Sequence, residues 1–237
     1  MQHMKEPLAG VDWNKVTGQL HENGYAIARN ILSLPDCATL IKGYDDATAY
    51  RKTVVMERYR FGSGEYKYFN YPLPELLEFA RATVYPYLVP VANSWMNMLG
   101  IDTAFPAALN HLQTLCRRNQ QVHPTVLILK YGKGGHNTMH QDVYGDIYFP
   151  VQLVFFLNEP ELDYTGGEFV LMQQTPRAQS TVKVLQPRRG DMLLFATRFR
   201  PVKGNKGYYR ATMKHGVSEV HHGVRHTLGV IFHDALT

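Results

Sequence analysis

The sequence predicts a mainly β protein: a double-stranded β-helix (a two-sheet jelly roll of cupin-like type) with helices packed outside it. Three observations predict this. From Pro124 onward, apolar residues come in short runs closed by turn residues, beginning with Val126-Leu127-Ile128-Leu129-Lys130-Tyr131 before Gly132-Lys133-Gly134-Gly135. Further strand candidates lie at 148–157, 167–172, 181–185, 191–196, 209–217 and 225–233. Such a series of short strands after a helical opening suits two packed sheets.

The opening follows the punctuation of helices. Residues 11–46 read as helix, short strand, helix: Gly24 ends the first helix, Tyr25-Ala26-Ile27-Ala28 is the strand, and Ser33-Leu34-Pro35-Asp36 starts the second helix. The aromatic, glycine-bearing segment Tyr59 to Tyr71 reads as a loop or hairpin. Pro74-Glu75-Leu76-Leu77 opens a helix toward Tyr85, and a further helix is expected near Val89 to Leu99. Residues 1–121 are therefore expected to be a helical support packed on a core at 122–237, the two forming one integrated domain. A chain of 237 residues, 45% hydrophobic and 12% aromatic, fits one such domain.

Composition narrows the class. No apolar run reaches the length of a bilayer span, so no membrane partner is expected. The start Met1-Gln2-His3-Met4-Lys5-Glu6-Pro7 lacks the apolar core of a signal peptide. Cys37 and Cys116 are too few for a disulfide framework, and a reducing cytoplasm is the expected home. The net charge of +5 is uneven: residues 177–214 hold ten Lys or Arg and one acid, Asp191, while the remainder is net acidic. That stretch is either a site for nucleic acid or another acidic partner, or a solvated basic strand edge.

The chemistry concentrates in His140-Gln141-Asp142, then His215 73 residues later and Arg225 ten beyond that. Residues two apart on a strand share a face, so His140 and Asp142 are expected to reach one ion, with His215 arriving from the opposite sheet. Two imidazoles and a carboxylate on one side of a metal leave positions open for a cosubstrate and dioxygen, the pattern of non-haem Fe(II) oxygenases. Zinc could use the same donors, but a zinc site with one open position leaves Arg225 without a role. His136, His221, His222 and His233 are read as structural or exposed, the pair at 221–222 on a turn beside Gly223. Arg225 and Thr227 are also two apart; a guanidinium and a hydroxyl there would grip the far carboxylate of 2-oxoglutarate, with Tyr131 as a further donor.

In order, the chain carries Leu127-Ile128-Leu129-Lys130-Tyr131-Gly132, His140-Gln141-Asp142, Thr165-Gly166-Gly167-Glu168-Phe169, Pro187-Arg188-Arg189-Gly190-Asp191, His215-Gly216-Val217 and Arg225-His226-Thr227. Over 122–234 these strings resemble the Fe(II)/2-oxoglutarate dioxygenases, in particular the prolyl-4-hydroxylase-like jelly rolls. Arg60-Phe61-Gly62-Ser63-Gly64-Glu65-Tyr66, Pro176-Arg177-Ala178-Gln179-Ser180 and Gly229-Val230-Ile231-Phe232-His233-Asp234-Ala235 extend the resemblance to a bacterial oxygenase family linked to oxidative removal of alkyl lesions from nucleic acid. AlkB-type demethylases place a second arginine six residues after the first, where this chain has Ile231. The resemblance also puts Phe156 where prolyl-hydroxylase relatives often have a tyrosine.

The resemblance implies Fe(II), 2-oxoglutarate and O2, yielding succinate, carbon dioxide and a hydroxylated substrate. For an alkylated base, Arg198, Arg200, Lys203, Lys206 and Arg210 could follow phosphates, while Arg58, Tyr66, Tyr68 and Phe69 could stack on the base. For a peptide or free amino acid, Arg177 and Gln179 could contact the substrate; Tyr144 is a further substrate-binding candidate. A non-catalytic metal-binding module is the remaining alternative.

Overall fold

The structure, a computed structural model, describes residues 2–237, the side chains of Gln2, His3 and Lys5 excepted. The helices are α1 (Gln2–Ala9), α2 (Trp13–Asn23), α3 (Leu34–Lys42), α4 (Glu75–Met98) and α5 (Leu109–Arg118). The strands are β1 (Tyr25–Ala28), β2 (Tyr50–Val55), β3 (Gly62–Ser63), β4 (Glu65–Phe69), β5 (Leu127–Tyr131), β6 (His136–His140), β7 (Val151–Phe156) and β8 (Tyr164–Gly166). They continue with β9 (Phe169–Gln174), β10 (Thr181–Leu185), β11 (Met192–Ala196), β12 (Phe199–Gly204), β13 (Gly207–Val217), β14 (Val220–Gly223) and β15 (Arg225–Val230).

The strands form a seven-stranded sheet, β1-β11-β7-β15-β5-β4-β2, and a six-stranded sheet, β10-β9-β13-β6-β3 with β12 on β13. A small β14-β8 sheet completes them, and neighbouring strands run antiparallel throughout. This is the jelly-roll architecture that the turn-spaced strands predict.

The region before residue 122 is more than a helical support. It supplies β1, β2 and β4 to the larger sheet and β3 to the smaller one. The segment 59–71, expected as a loop or hairpin, forms no hairpin: its two strands join different sheets, β4 adding to β5 and β3 to β6. The alternation of large side chains and lysine in Glu65-Tyr66-Lys67-Tyr68-Phe69 suits a strand with both faces partly covered.

A second difference lies in α4. One helix runs where two were expected, with Pro86 and Pro90 inside it. Each proline removes a backbone hydrogen bond. Packing overrides that cost: Leu77, Ala80, Val84, Leu88, Ala92 and Trp95 are all fully buried in the main core.

The helices cover one face of the larger sheet, and the other face looks into a cavity. On β15, Leu228 and Val230 join the helix-side core, whereas Arg225, Thr227 and Gly229 line the cavity. On β7, Leu153 and Phe155 face the core, with Gln152 and Val154 toward the cavity. The strand period of two thus sorts a packing residue from a site residue at each step. Among the described residues, no helix is long and apolar enough to cross a membrane.

Candidate active site

The two imidazoles come from adjacent strands of the same six-stranded sheet, not from opposite sheets. His215 on β13 stands directly across from His140 at the end of β6, and the ring centroids are 4.2 Å apart. Cross-strand partners are the closest side-chain neighbours a sheet offers, which is why residues 75 apart in sequence meet here. The register slips between His215 and Val217, and Gly216 permits it: a Cβ there would lie 2.7 Å from the Asn137 carbonyl oxygen.

Asp142 also departs from expectation, because β6 ends at His140 and the carboxylate stands in the loop beyond. It still reaches both imidazoles, with Oδ2 3.2 Å from His215 Nε2 and Oδ1 3.6 Å from His140 Nε2. One donor atom from each of the three residues lies within 4.8 Å of the others. Gln141 holds the loop in place, its side-chain amide donating to the carbonyls of Arg198 and Met213, each at 2.7 Å.

The surrounding hydrogen bonds orient these donors. The His140 Nδ1 lies 2.7 Å from the Thr138 carbonyl; with the proton there, the Nε2 lone pair faces Asp142. Tyr144 donates to Asp142 Oδ1 at 2.8 Å and Gln152 donates to Oδ2 at 2.9 Å. Burial alone would raise the Asp142 carboxyl. The imidazoles of His215 and His140 outweigh it, with help from the Tyr144 hydrogen bond, and hold the group well below the usual carboxylate range. Burial, and then His140 beside it, depresses His215, favouring the neutral ligating form. His215 is set by packing, stacked on Phe169 and tilted against Phe195.

Arg225, only 1% exposed, lines the same cavity of about 200 Å³ as the three donors. Tyr131 stands opposite it in register, and its phenol accepts from Asn137 Nδ2 at 3.2 Å. The guanidinium carbon is 5.5 Å from the Tyr131 ring centroid, 5.4 Å from that of Phe156 and 5.9 Å from that of Tyr164. Its side-chain hydrogen bond to Thr227 Oγ1 is long, 3.5 Å. Among the described residues, no carboxylate forms an ion pair with it. A buried cation rimmed by aromatic faces, open to the space shared with His140, Asp142 and His215, is suited to an anionic ligand.

His140, Asp142, His215, Tyr131, Arg225, Thr227 and Tyr144 all line this cavity. Tyr144 stands there as a hydrogen-bond donor to Asp142. Arg177 and Gln179 are exposed in the β9–β10 turn, and Arg58 is exposed in the 3-10 turn Met56–Tyr59; none of these three lines the cavity. Tyr66 lines it, while Tyr68 and Phe69 are buried beneath. Arg200 is not free to follow phosphates: it is buried and donates to Gln173 Oε1 and the His21 carbonyl. His221 and His222 sit on β14 rather than on a turn, with exposed side chains away from the donor cluster. His233 is buried and accepts from the Phe149 amide. Sequence reasoning missed Gln152 and Thr138; the lone polar residue within Val151-Gln152-Leu153-Val154-Phe155-Phe156 is the signal that could have found Gln152.

Comparison with solved structures defines the class. The fold aligns with a Pseudomonas putida prolyl-4-hydroxylase at TM-score 0.56 and 14% identity, covering 94% of this chain and 98% of that one. It aligns with a 2OG-Fe(II) oxygenase family protein of Burkholderia pseudomallei at TM-score 0.52 and 14% identity, covering 95% and 93%. The chain therefore has the fold of the 2OG-Fe(II) oxygenases. Residues 64–235 match the Oxygenase-NA family, described as an oxygenase catalysing oxidative methylation of damaged DNA, and the chain belongs to that family. Uncharacterized proteins of two Mycobacterium tuberculosis strains are 41% identical over 167 residues, 70% of this chain and 72% of theirs.

Proposed function

We propose that the chain is an Fe(II)- and 2-oxoglutarate-dependent dioxygenase that hydroxylates a C–H bond on an alkylated nucleic-acid base. The observation that carries this reading is the shared cavity, lined both by a His-Asp-His donor cluster and by a buried Arg225 that forms no ion pair among the described residues. The donor set fits ferrous iron: two imidazoles and one carboxylate provide nitrogen and oxygen ligands on one side only. Both cysteines are free and buried, in keeping with a reducing compartment such as the cytoplasm.

In this reading His140, Asp142 and His215 hold the metal, while Tyr144 and Gln152 keep the Asp142 carboxylate turned toward it. Arg225 and Thr227 bind the far carboxylate of 2-oxoglutarate, and the Tyr131 phenol borders the same space. The apolar lining from Leu129, Val154, Phe169 and Phe195 excludes water around the reacting groups. When bound, iron with 2-oxoglutarate and dioxygen supplies the oxidising chemistry, with succinate and carbon dioxide as coproducts. An N-methyl group so hydroxylated leaves as formaldehyde.

The family description and the exposed bases Arg198, Lys203, Lys206 and Arg210 support a nucleic-acid substrate. Ile231 favours a second reading, hydroxylation of a peptide or amino acid in the prolyl-4-hydroxylase manner. It stands where AlkB-type enzymes carry another arginine, and it lines the cavity as an apolar surface. The test is aerobic incubation with Fe(II), 2-oxoglutarate and an N-methylated single-stranded oligonucleotide. Succinate and formaldehyde in equal amounts are expected; no succinate under any condition would contradict the oxygenase reading, and succinate coupled only to a peptide would favour the second.

A further inference from the structure

We propose that the stacked Tyr59–Phe61 pair, with Arg58 and Arg60, forms a platform for an unpaired nucleobase at the mouth of the cavity. This inference rests on the nucleic-acid reading above and names the residues that would recognise the substrate. The two rings stack with centroids 5.5 Å apart and planes 20° from parallel, yet remain 56% and 44% exposed. Phe61 also lines the cavity that holds His140 and Asp142. A paired aromatic surface left open to water beside a reactive cavity offers the face on which bases stack, whatever their sequence.

The platform is anchored to the strand that carries a metal-binding imidazole. The Phe61 carbonyl accepts from both the amide and the hydroxyl of Thr138, at 2.9 and 3.0 Å. The Thr138 carbonyl in turn holds His140 Nδ1. The turn is closed by Phe61 N donating to the Met56 carbonyl, and by Ser63 and Gly64 donating to Glu57. Gly62 pairs with Asn137 at φ +129, so close to β6 that a Cβ would collide with the His136 carbonyl. Stacked rings on a pinned turn lose little freedom when a ligand arrives.

The charges favour a nucleotide over a peptide. Arg58 and Arg60 are exposed, and neither forms an ion pair among the described residues. Arg60 holds the left-handed conformation, φ 59, that ends the 3-10 turn between the two rings. On the other side of β6, exposed Arg198 is joined through its carbonyl to Gln141, between His140 and Asp142. A strand crossing this mouth would meet the cations of Arg58 and Arg60 beside the aromatic faces at the cavity edge.

The test is fluorescence anisotropy of the full chain with a labelled single-stranded oligonucleotide bearing one N-methylated base, and with an abasic strand of the same length that carries no bases. Tyr59→Ala and Phe61→Ala are each expected to weaken binding of the methylated strand about tenfold to hundredfold. Tyr59→Phe and Phe61→Tyr should retain wild-type affinity, which separates loss of the aromatic face from loss of the turn. The abasic strand should bind weakly and ignore all four changes. Arg58→Ala and Arg60→Ala should each flatten the logarithmic salt dependence by about 0.7. Equal binding by wild type and both alanine variants would overturn the platform while leaving the oxygenase reading intact. No oligonucleotide binding by wild type, with a peptide losing affinity in the alanine variants, would overturn the nucleobase as its ligand. Succinate formation is scored separately, so failure of the oxygenase reading would appear there and not in the anisotropy.

Discussion

Arg81, under the helical layer, and Arg225, in the cavity, are both essentially inaccessible, at 0% and 1% exposure, but their surroundings differ. Arg81 donates to Asp234 Oδ1 at 2.7 Å, to the Phe232 carbonyl at 2.8 Å and to the Tyr71 hydroxyl at 2.8 Å. Arg225 has three aromatic neighbours, a hydrogen bond with the Tyr164 hydroxyl and a long contact to Thr227, and among the described residues it forms no ion pair with a carboxylate. Nε is unpartnered in both, so the contrast lies in the terminal nitrogens. Burying a charge without a counter-charge costs several kcal/mol. The chain meets that cost with its own aspartate at Arg81; at Arg225, in the function proposed above, the counter-charge would come from the cosubstrate.

Substitutions can break this contrast at either end. The largest effect is expected at the donor cluster: Asp142→Ala or His215→Ala should abolish metal retention and reduce succinate formation to background, read by metal analysis and product assay. Next come the arginines. Arg81→Ala strands Asp234 in the core and should cost about 3–5 kcal/mol, lowering Tm by roughly 10 °C. Arg225→Met should leave Tm unchanged or raise it, while raising the apparent KM for 2-oxoglutarate about a hundredfold or more. A fall in Tm at Arg225 equal to that at Arg81 would erase the distinction.

Smaller effects sharpen it. Tyr144→Phe and Gln152→Leu remove the donors that hold Asp142, and each should weaken metal binding about 10- to 100-fold without unfolding the chain. His233 lies in the structural region, where burial and then Arg81 push it down to about 3. Between pH 6.5 and about 3, the unfolded chain binds a proton there that the folded chain does not. Stability from this residue is therefore complete above pH 6.5 and declines as the pH falls, by up to about 1.4 kcal/mol per pH unit. His233→Asn keeps an acceptor for the Phe149 amide. It should flatten the fall in urea midpoint between pH 6.5 and 4.5.

The same division between packing and site explains what the sequence made legible. Short apolar runs closed by turn residues revealed β5, β7, β9, β11, β13 and β15, because their buried side chains leave a local imprint; β10 was found by its Thr181-Val182-Lys183-Val184-Leu185 pattern although it is largely exposed. The donors His140, Asp142 and His215 stood out by residue type and spacing, although the paths bringing them together were misread: Asp142 is off the strand, and His215 is a cross-strand neighbour. Nothing local announces that Gly216 lets β13 pass close to β6. The two helices expected at 74–85 and 89–99 are one, because tertiary burial overrides the cost of Pro86 and Pro90 inside α4. Arg200 looks like its basic neighbours in sequence, and only its contacts with Gln173 and His21 identify it as structural. The exposure of Tyr59 and Phe61 was equally invisible, since an aromatic run reads alike on a core strand and on an open turn.

The central claim is that Arg225 awaits a carboxylate supplied by the cosubstrate. Anaerobic calorimetric titration of 2-oxoglutarate into the Fe(II)-loaded chain tests it most directly. One molecule should bind per chain, with binding lost in Arg225→Met and in metal-free protein, and unchanged in Arg177→Ala. Equal affinity in wild type and Arg225→Met would contradict the account.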